Sequence, residues 1–116
     1  RDLAARRRAR GEWGENLAAS WYRRNGWRIV GRNVRHGRGE IDIIAERDGT
    51  VAVCEVKTRG SSAYGSPAEA MTTAKCRSVR VAAHGWAREN LVPFHSLRFD
   101  VAVITGTSLE VIEDAF

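Results

Sequence analysis

The sequence predicts an α/β domain in which helices flank a mixed β-sheet, with elements in the order α-β-β-β-α-β-β. Two observations support the start of this order: an amphipathic helical period near the N-terminus, and an Asp48-Gly49 pair between two strand-like runs. A third is a helical segment between the third and fourth strands, which permits a parallel crossover. The 116 residues and 43% hydrophobic content fit one globular domain.

The first four elements follow from apolar spacing and turn residues. Trp13, Leu17 and Trp21 recur every four residues and predict one buried helix face, ended by Asn25-Gly26. Strands are predicted at 27–34, 40–46 and 50–57, where Ile and Val are frequent. Asp48-Gly49 suits the positive φ angles of a two-residue hairpin turn, so the second and third strands should pair antiparallel.

The second half of the chain predicts a loop, a helix and two strands. Residues 58–65 are rich in Ser and Gly and predict a loop. Ser66-Pro67-Ala68-Glu69 has the pattern of a capping box, and the helix after it, with Met71 on its buried face, should reach about Asn90. Apolar alternation then predicts strands around 97–103 and 109–112.

The positive charge is concentrated at one end of the chain. The net charge is +5, but residues 1–38 carry eleven arginines against three acids, a net +8, while the remainder carries −3. Basic segments of this kind bind phosphates, so nucleic acid is the expected partner. We divide the chain into a basic N-terminal extension at 1–10, either a solvated helix extension or a flexible arm, and a single domain at 11–116.

Several classes of protein are excluded by missing patterns. Cys54 and Cys76 have neither disulfide-rich nor zinc-ligand spacing, and a reduced, cytoplasmic setting is expected. No apolar run is long enough to span a membrane and no secretory leader is visible. The sequence lacks a G-x-x-x-x-G-K phosphate loop and a serine nucleophile elbow.

The predicted hairpin brings two acids together. A two-residue turn at Asp48-Gly49 would place Asp42 directly opposite Glu55 and Glu40 opposite Lys57, all on one face of the sheet. Directly opposed carboxylates repel, so a raised pKa, a nearby cation or a bound metal must offset the repulsion. Mg²⁺ prefers such oxygen ligands. The alternative is a surface acid pair neutralised by Lys57 and neighbouring arginines.

These residues resemble a known nuclease signature. Asp42 followed by Glu55-Val56-Lys57 is similar to the PD-(D/E)xK pattern of restriction-endonuclease-like folds, with Ile41 in place of the proline. From Gly11 onward the chain resembles the YraN-like family of bacterial proteins, which is related to archaeal Holliday-junction resolvases. The matching segments are Gly14-Glu15, Arg32-Asn33, Gly39-Glu40-Ile41-Asp42-Ile43-Ile44-Ala45, Glu55-Val56-Lys57-Thr58-Arg59, Gly65-Ser66-Pro67 and Arg98-Phe99-Asp100-Val101.

The resemblance implies an active site. Asp42 and Glu55 would be metal ligands together with the Val56 carbonyl, and the metal would be Mg²⁺ or Mn²⁺. Lys57 would orient the attacking water and stabilise charge on the phosphate. Glu15 would be an acid brought in from the first helix, although the same position suits a surface acid. The implied function is a metal-dependent endonuclease that hydrolyses phosphodiester bonds in DNA, including branched or junction structures.

Contacts to nucleic acid are expected from Arg35, Arg38, Arg59 and Lys75, with Tyr64 as a stacking candidate. For Lys75, a solvated helix lysine is the favoured alternative. DNA rather than RNA is the expected nucleic acid. A homodimer would allow a small nuclease to cut two strands. Two alternatives stay open: a non-catalytic nucleic-acid-binding module with this fold, and an accessory subunit of a partner protein.

Overall fold

A mixed sheet with one helix on each face forms the part of the chain that the structure describes. The structure is a computed structural model, and it describes residues 2–59 and 71–116. The element order is α-β-β-β-α-β-β, as predicted, with a short 3-10 turn before the fourth strand. The elements are α1 (Leu3–Arg24), β1 (Arg28–His36), β2 (Gly39–Arg47), β3 (Thr50–Arg59), α2 (Thr73–Glu89), β4 (Leu97–Thr105) and β5 (Ser108–Ile112).

The strands lie in the sheet in chain order, from β1 to β5. Neighbouring strands are antiparallel except β3 and β4, which are parallel. A parallel pair requires a crossover, and α2 lies in the connection between these two strands, which confirms the mixed sheet. β3 extends to Arg59, so Thr58 and Arg59 are strand residues rather than the start of the predicted loop, whose remaining residues 60–65 lie outside the described ranges.

Helix α1 packs on the sheet through a face that is shifted from the predicted one. Gly14, Ala18 and Tyr22 are buried at a spacing of four. Of the two predicted tryptophans, Trp21 is partly buried against this cluster, whereas Trp13 is 40% exposed, which corrects the prediction for Trp13. A Cβ on Gly14 would lie 2.6 Å from Thr58 Oγ1. The helix axis can therefore approach β3 closely only because residue 14 has no side chain. This close approach also positions the next residue, Glu15.

Residues 3–10 continue α1 toward the N-terminus without a break. Asp2 caps the helix by accepting a hydrogen bond from the Ala5 amide at 3.2 Å. The residues of these two turns whose side chains are described are exposed. Of the two alternatives for the basic extension, the structure has the helix extension and not the flexible arm.

Helix α2 begins later than the capping-box pattern predicts. Its N-cap is Thr72, whose hydroxyl accepts the Lys75 amide at 3.1 Å, and Met71 lies outside the helix against the core. The predicted cap at Ser66 and Pro67 lies outside the described residues. No helix in the described ranges is long and apolar enough to cross a membrane.

Each helix covers its own hydrophobic cluster. Ala18, Ala19 and Tyr22 of α1 pack on one face of the sheet, and Val79, Ala82 and Ala83 of α2 pack on the other. Residues of one strand should alternate between these two clusters. A break in that alternation therefore marks a local change in the strand.

Candidate active site

The pairing of β2 with β3 stops at the residues expected to carry chemistry. Arg47 lies opposite Thr50, and the same register runs to Ile43 opposite Cys54. Asp48 and Gly49 both have positive φ, as a two-residue turn requires. The turn and register are therefore as predicted, but the ladder does not reach Asp42 and Glu55. Instead, Asp42 Oδ2 accepts a hydrogen bond from the Val56 amide at 2.8 Å.

The side-to-side alternation of β2 also breaks at Asp42. Ile41 packs in the cluster under α2, whereas Ile43, two residues later, packs in the cluster under α1. Regular strand geometry would place both on one face. Because of this irregularity, the Asp42 carboxylate lies between the diverging strands. There it accepts the hydrogen bond from the Val56 amide that a β2 carbonyl would accept in a continuous ladder.

Burial and a second acid raise the pKa of Asp42. The pKa rises from 3.8 to about 7, first because burial disfavours the charged carboxylate and then because Glu55 and Glu15 are negatively charged neighbours. The hydrogen bond from the Val56 amide acts in the opposite direction and favours the charged form. Asp42 and Glu55 therefore interact strongly although they are not ladder partners.

Glu55 is the most deeply buried acid of this cluster, with 4% of its surface exposed. Its Oε2 lies 3.4 Å from Lys57 Nζ and 3.4 Å from Lys75 Nζ. Its Oε1 has no hydrogen-bond partner within residues 2–59 and 71–116. Burying a carboxylate oxygen without a partner is costly, so this atom is available to a ligand.

The two lysines of the chain thus converge on one carboxylate oxygen. Lys57 comes from β3, as predicted from its position two residues after Glu55, and Lys75 comes from the first turn of α2. Lys75 was expected either to contact nucleic acid or to be solvated, and it contacts Glu55. Glu40, expected to pair with Lys57, instead lies 3.5 Å from Arg35 across β1 and β2. That expectation was wrong because the β2–β3 ladder ends before Glu40.

Glu15 reaches this cluster from α1. Its Oε1 accepts a hydrogen bond from Asn33 Nδ2 at 3.0 Å and lies 3.6 Å from Arg32 Nη2. Asn33 has a φ of 51°, a left-handed conformation that Asn tolerates better than most residues. Arg32 and Asn33 were not predicted as site residues. Their signal in the sequence is an Arg-Asn pair within a strand, where Asn is disfavoured.

The remaining predicted contacts lie around this cluster. Arg35 and Arg38 are exposed at the end of the β1–β2 hairpin. Arg59 ends β3, where its carbonyl accepts the Gly106 amide at 3.2 Å. Tyr64 lies outside the described residues. Of the predicted site residues, the structure gathers Glu15, Asp42, Glu55, Lys57 and Lys75 and leaves the arginines at its margin.

The donor set suits a metal that keeps water ligands. Within the described ranges, no three His, Cys, Asp or Glu side chains lie close enough to hold an ion together. Asp42 and Glu55 are therefore the two carboxylates that the described part of the site could offer to an ion. Mg²⁺ commonly binds through one or two carboxylates and retains several waters, and the unpartnered Oε1 of Glu55 fits that mode.

The fold and this cluster define a mixed α/β protein of nuclease-like architecture, with an acid pair and two lysines where adjacent strands diverge. The model of the uncharacterised protein family UPF0102 matches residues 14–104, so the chain belongs to this family, the YraN family, as the motifs predicted.

Similar proteins match the chain over most of its length. A UPF0102 protein of Persephonella marina is 36% identical over 107 residues, covering 92% of each chain. One of Rhodococcus opacus is 41% identical over 113 residues, covering 93% of this chain and 96% of its own. One of Bifidobacterium longum is 43% identical over 97 residues, covering 81% and 78%.

Proposed function

We propose that this protein is a metal-dependent endonuclease that hydrolyses phosphodiester bonds in DNA. The observation that carries the proposal is the pairing of the partly buried Asp42 with the buried Glu55, which has one unpartnered carboxylate oxygen and a lysine beside the other. Acids held together at the end of a strand pair cost stability, and such arrangements are frequent at functional sites. The resemblance to archaeal Holliday-junction resolvases supports branched DNA as the substrate class.

Asp42, Glu55 and the Val56 carbonyl would hold Mg²⁺ or Mn²⁺. In an extended strand the N–H and C=O of one residue face the same side, and the Val56 amide already faces Asp42. A bound divalent ion would lower the pKa of its water and act as a Lewis acid on the phosphoryl oxygen. Ionising both acids requires positive charge nearby, because Asp42 alone holds its proton to about pH 7.

Lys57 supplies charge where the phosphate would approach. Its ammonium lies 3.4 Å from Glu55 Oε2, and its side chain is one-third exposed, so it is in contact with both the acid and solvent. A point charge of this kind can orient an attacking water and stabilise the additional negative charge of the transition state. Glu15, held by Asn33, adds negative charge beside Asp42 and in this proposal would accept a proton from water.

The basic helix extension would bind the phosphate backbone. α1 runs past Gly14, which packs beside Thr58 near the end of β3, so the extension projects from the same end of the sheet as Lys57. Arg6, Arg8 and Arg10 are exposed along it. Contacts of this type bind DNA without reading its sequence. A homodimer would present two such sites, and the two free cysteines fit a reducing, cytoplasmic setting.

The test is cleavage by purified protein. Wild type is incubated with Mg²⁺ or Mn²⁺ and with four-way junction, flap, duplex and single-stranded DNA, and with RNA of the same sequence. We expect Asp42→Ala and Lys57→Ala each to reduce cleavage at least about a hundredfold. Glu46→Gln and Arg24→Ala remove the same types of charge far from the acid pair and should leave the rate unchanged. Cleavage that survives Asp42→Ala would exclude this site.

One observation favours a second function. Glu55 already has two ammonium partners, so part of its charge is compensated without a metal. A module that only binds nucleic acid, alone or as an accessory subunit, would need no metal, because the two lysines already compensate the charge of Glu55. Titration calorimetry with Mn²⁺ separates the two functions: heat of binding that is lost in Glu55→Gln supports the enzyme, and DNA binding without metal binding supports the module.

A further inference from the structure

A basic groove lies beside α2, outside the cluster described above. It runs between the turn joining β1 to β2 and the outer face of α2, with a volume of about 700 Å³. Three arginines and two histidines line it: Arg38, Arg77, Arg88, His36 and His84. No aspartate or glutamate is among its described lining residues. We call it the arginine groove.

The walls of the arginine groove are held in place by close packing of the turn on α2. A Cβ on Gly85 would collide with the His36 imidazole, and a Cβ on Gly39 would lie 2.8 Å from the Ala82 Cβ. Two glycines therefore let the hairpin and the helix approach each other directly. His36 Nε2 is also 3.0 Å from Glu89 Oε1, which ties the turn to the last residue of the helix. The groove is thus preformed and needs no rearrangement to bind a ligand.

The arginines of the groove lack acidic partners. Within residues 2–59 and 71–116, no carboxylate forms an ion pair with Arg38, Arg77 or Arg88. Arg88 instead stacks near the Phe94 ring, 5.9 Å from its centroid. Outside the groove, Arg28, Arg32, Arg35 and Arg98 each have a carboxylate partner, whereas others such as Arg23 and Arg24 have none in the described part of the chain but do not line this groove. Clustered unneutralised guanidinium groups are typical of a site for an anion.

The spacing along α2 fits an extended polyanion. Arg77 and Arg88 are eleven residues apart on the same face of the helix, which is about 16 Å along its axis. Along the axis of duplex DNA each strand has one phosphate about every 3.4 Å, so a groove parallel to that axis would cover roughly five phosphate steps. Val81, 66% exposed, lies between the two arginines and gives the groove an apolar patch for a sugar or a base.

The groove begins next to the acid pair. One of its walls includes Gly39, three residues before Asp42 on β2, and another includes Ala74, which precedes Lys75. Three strand residues correspond to about 10 Å. The groove is therefore within reach of a strand whose phosphate lies beside Lys57.

We propose that the arginine groove binds the sugar-phosphate backbone of the nucleic acid on one side of the cleaved bond, with Arg77 and Arg88 as its phosphate contacts. This assignment rests on the proposed nuclease function for the identity of the ligand. It adds Arg77 and Arg88 to the nucleic-acid contacts predicted from the sequence, which were Arg35, Arg38, Arg59 and Lys75.

The experiment measures DNA binding without cleavage. Full-length protein is titrated into fluorescent 20-base-pair duplex and into one of its single strands, in EDTA, at several salt concentrations. The variant is Arg77→Ala/Arg88→Ala, and the control is Arg23→Ala/Arg24→Ala, which removes two exposed arginines from the last turn of α1. Arg77→Lys/Arg88→Lys retains the charge and serves as the rescue variant. Thermal melting establishes that all of them fold.

Each lost phosphate contact should weaken duplex binding roughly eightfold at 0.1 M salt, because about 0.9 counterion is released per contact. The groove variant should therefore lose on the order of 60-fold and its log–log salt slope should fall by about 1.8. The control should change less than threefold, and the lysine variant should recover most of the affinity. Equal affinity of the groove variant and the control would overturn the assignment.

The outcome for the groove is separable from that for the nuclease. If wild type binds DNA through Arg77 and Arg88 but does not cleave it with Mn²⁺, the groove assignment is supported and the nuclease function is refuted. If wild type cleaves DNA and the groove variant binds and cleaves equally well, the nuclease function is supported and the groove assignment is refuted.

Discussion

Replacing Asp42 by asparagine should make the metal-free protein more stable at neutral pH. The Asp42 carboxyl has its pKa raised from 3.8 to about 7 in the folded protein, chiefly by burial and by the charge of Glu55. The folded state therefore holds a proton between these pH values that the unfolded state has released. Stability consequently falls as pH rises from about 4 to about 7, by roughly 1.4 kcal/mol per pH unit, and the full penalty of on the order of 4 kcal/mol applies above pH 7.

Asp42→Asn removes this penalty and keeps an oxygen that can accept the Val56 amide. Between pH 5 and pH 8 the variant should gain about 3 kcal/mol over wild type in unfolding free energy, a shift of roughly 1–3 M in the urea midpoint. The assay is urea unfolding in EDTA across this pH range, followed by far-ultraviolet circular dichroism. Glu46→Gln, on the same strand but 42% exposed beside Arg28, is the control and should show no such trend. A stability difference that does not change between pH 5 and pH 8 would refute the reasoning.

Three further predictions concern the metal, the helix–strand contact and the core. Mn²⁺ at about 100 times its Kd should stabilise wild type by about 2.7 kcal/mol, and Glu55→Gln should lose this gain because the buried acid is a proposed ligand. Gly14→Ala should cost about 1–3 kcal/mol, since its Cβ would meet Thr58 Oγ1. Asp100→Asn should cost about 3 kcal/mol, more than Tyr22→Phe, because Asp100 is a fully buried carboxylate.

Each of these predictions has its own control. Thermal melting with and without Mn²⁺ tests Glu55→Gln, and a metal-dependent shift that persists in this variant would exclude Glu55 as a ligand. Thr58→Ala removes the colliding oxygen, so it should restore part of the stability lost in Gly14→Ala, and purely additive effects would contradict the steric explanation. Asp100→Asn should destabilise equally with and without Mn²⁺, because the residue lies in the core and not at the acid pair.

Asp100 shows why a fold can be predicted more easily than its polar interior. Its carboxylate accepts hydrogen bonds from the Tyr22 hydroxyl at 2.6 Å, from Arg98 Nε at 2.9 Å and from the Asp114 amide at 2.9 Å. Tyr22 is 78 residues away in the chain. The strand around Asp100 was predicted from apolar alternation, but a partner so distant leaves no local signal.

The order of elements could be predicted because it depends on local patterns. Strand alternation and the turn at Asp48-Gly49 located β2 and β3, and the observed bounds differ from the predicted ones by no more than two residues. The buried face of α1 could not be predicted in the same way. Large apolar side chains suggested Trp13, yet the close approach of the helix to β3 selects Gly14 and Ala18. Packing distance is a tertiary property, and apolar periodicity alone does not encode it.

The proximity of Asp42 and Glu55 was predicted correctly, but the hairpin register from which it was predicted does not extend to these residues. Extending the hairpin register places Asp42 opposite Glu55, and the two acids do interact, but the ladder has already ended at Ile43 and Cys54. The divergence of the strands is what frees the Val56 amide for Asp42. No local sequence pattern predicts that the two strands diverge at this point.

The divergence of β2 from β3 also explains why the charges are placed where they are. A continuous ladder would have used the backbone groups of Val56 and put the two carboxylates on a pleated surface, facing one helix. Opening the ladder instead leaves a gap within the plane of the sheet, which Glu15 reaches from α1 on one face and Lys75 from α2 on the other. Groups from both faces can converge only at such a gap. The site therefore belongs to the end of the strand pair and could not be moved along the hairpin by shifting its acids two residues.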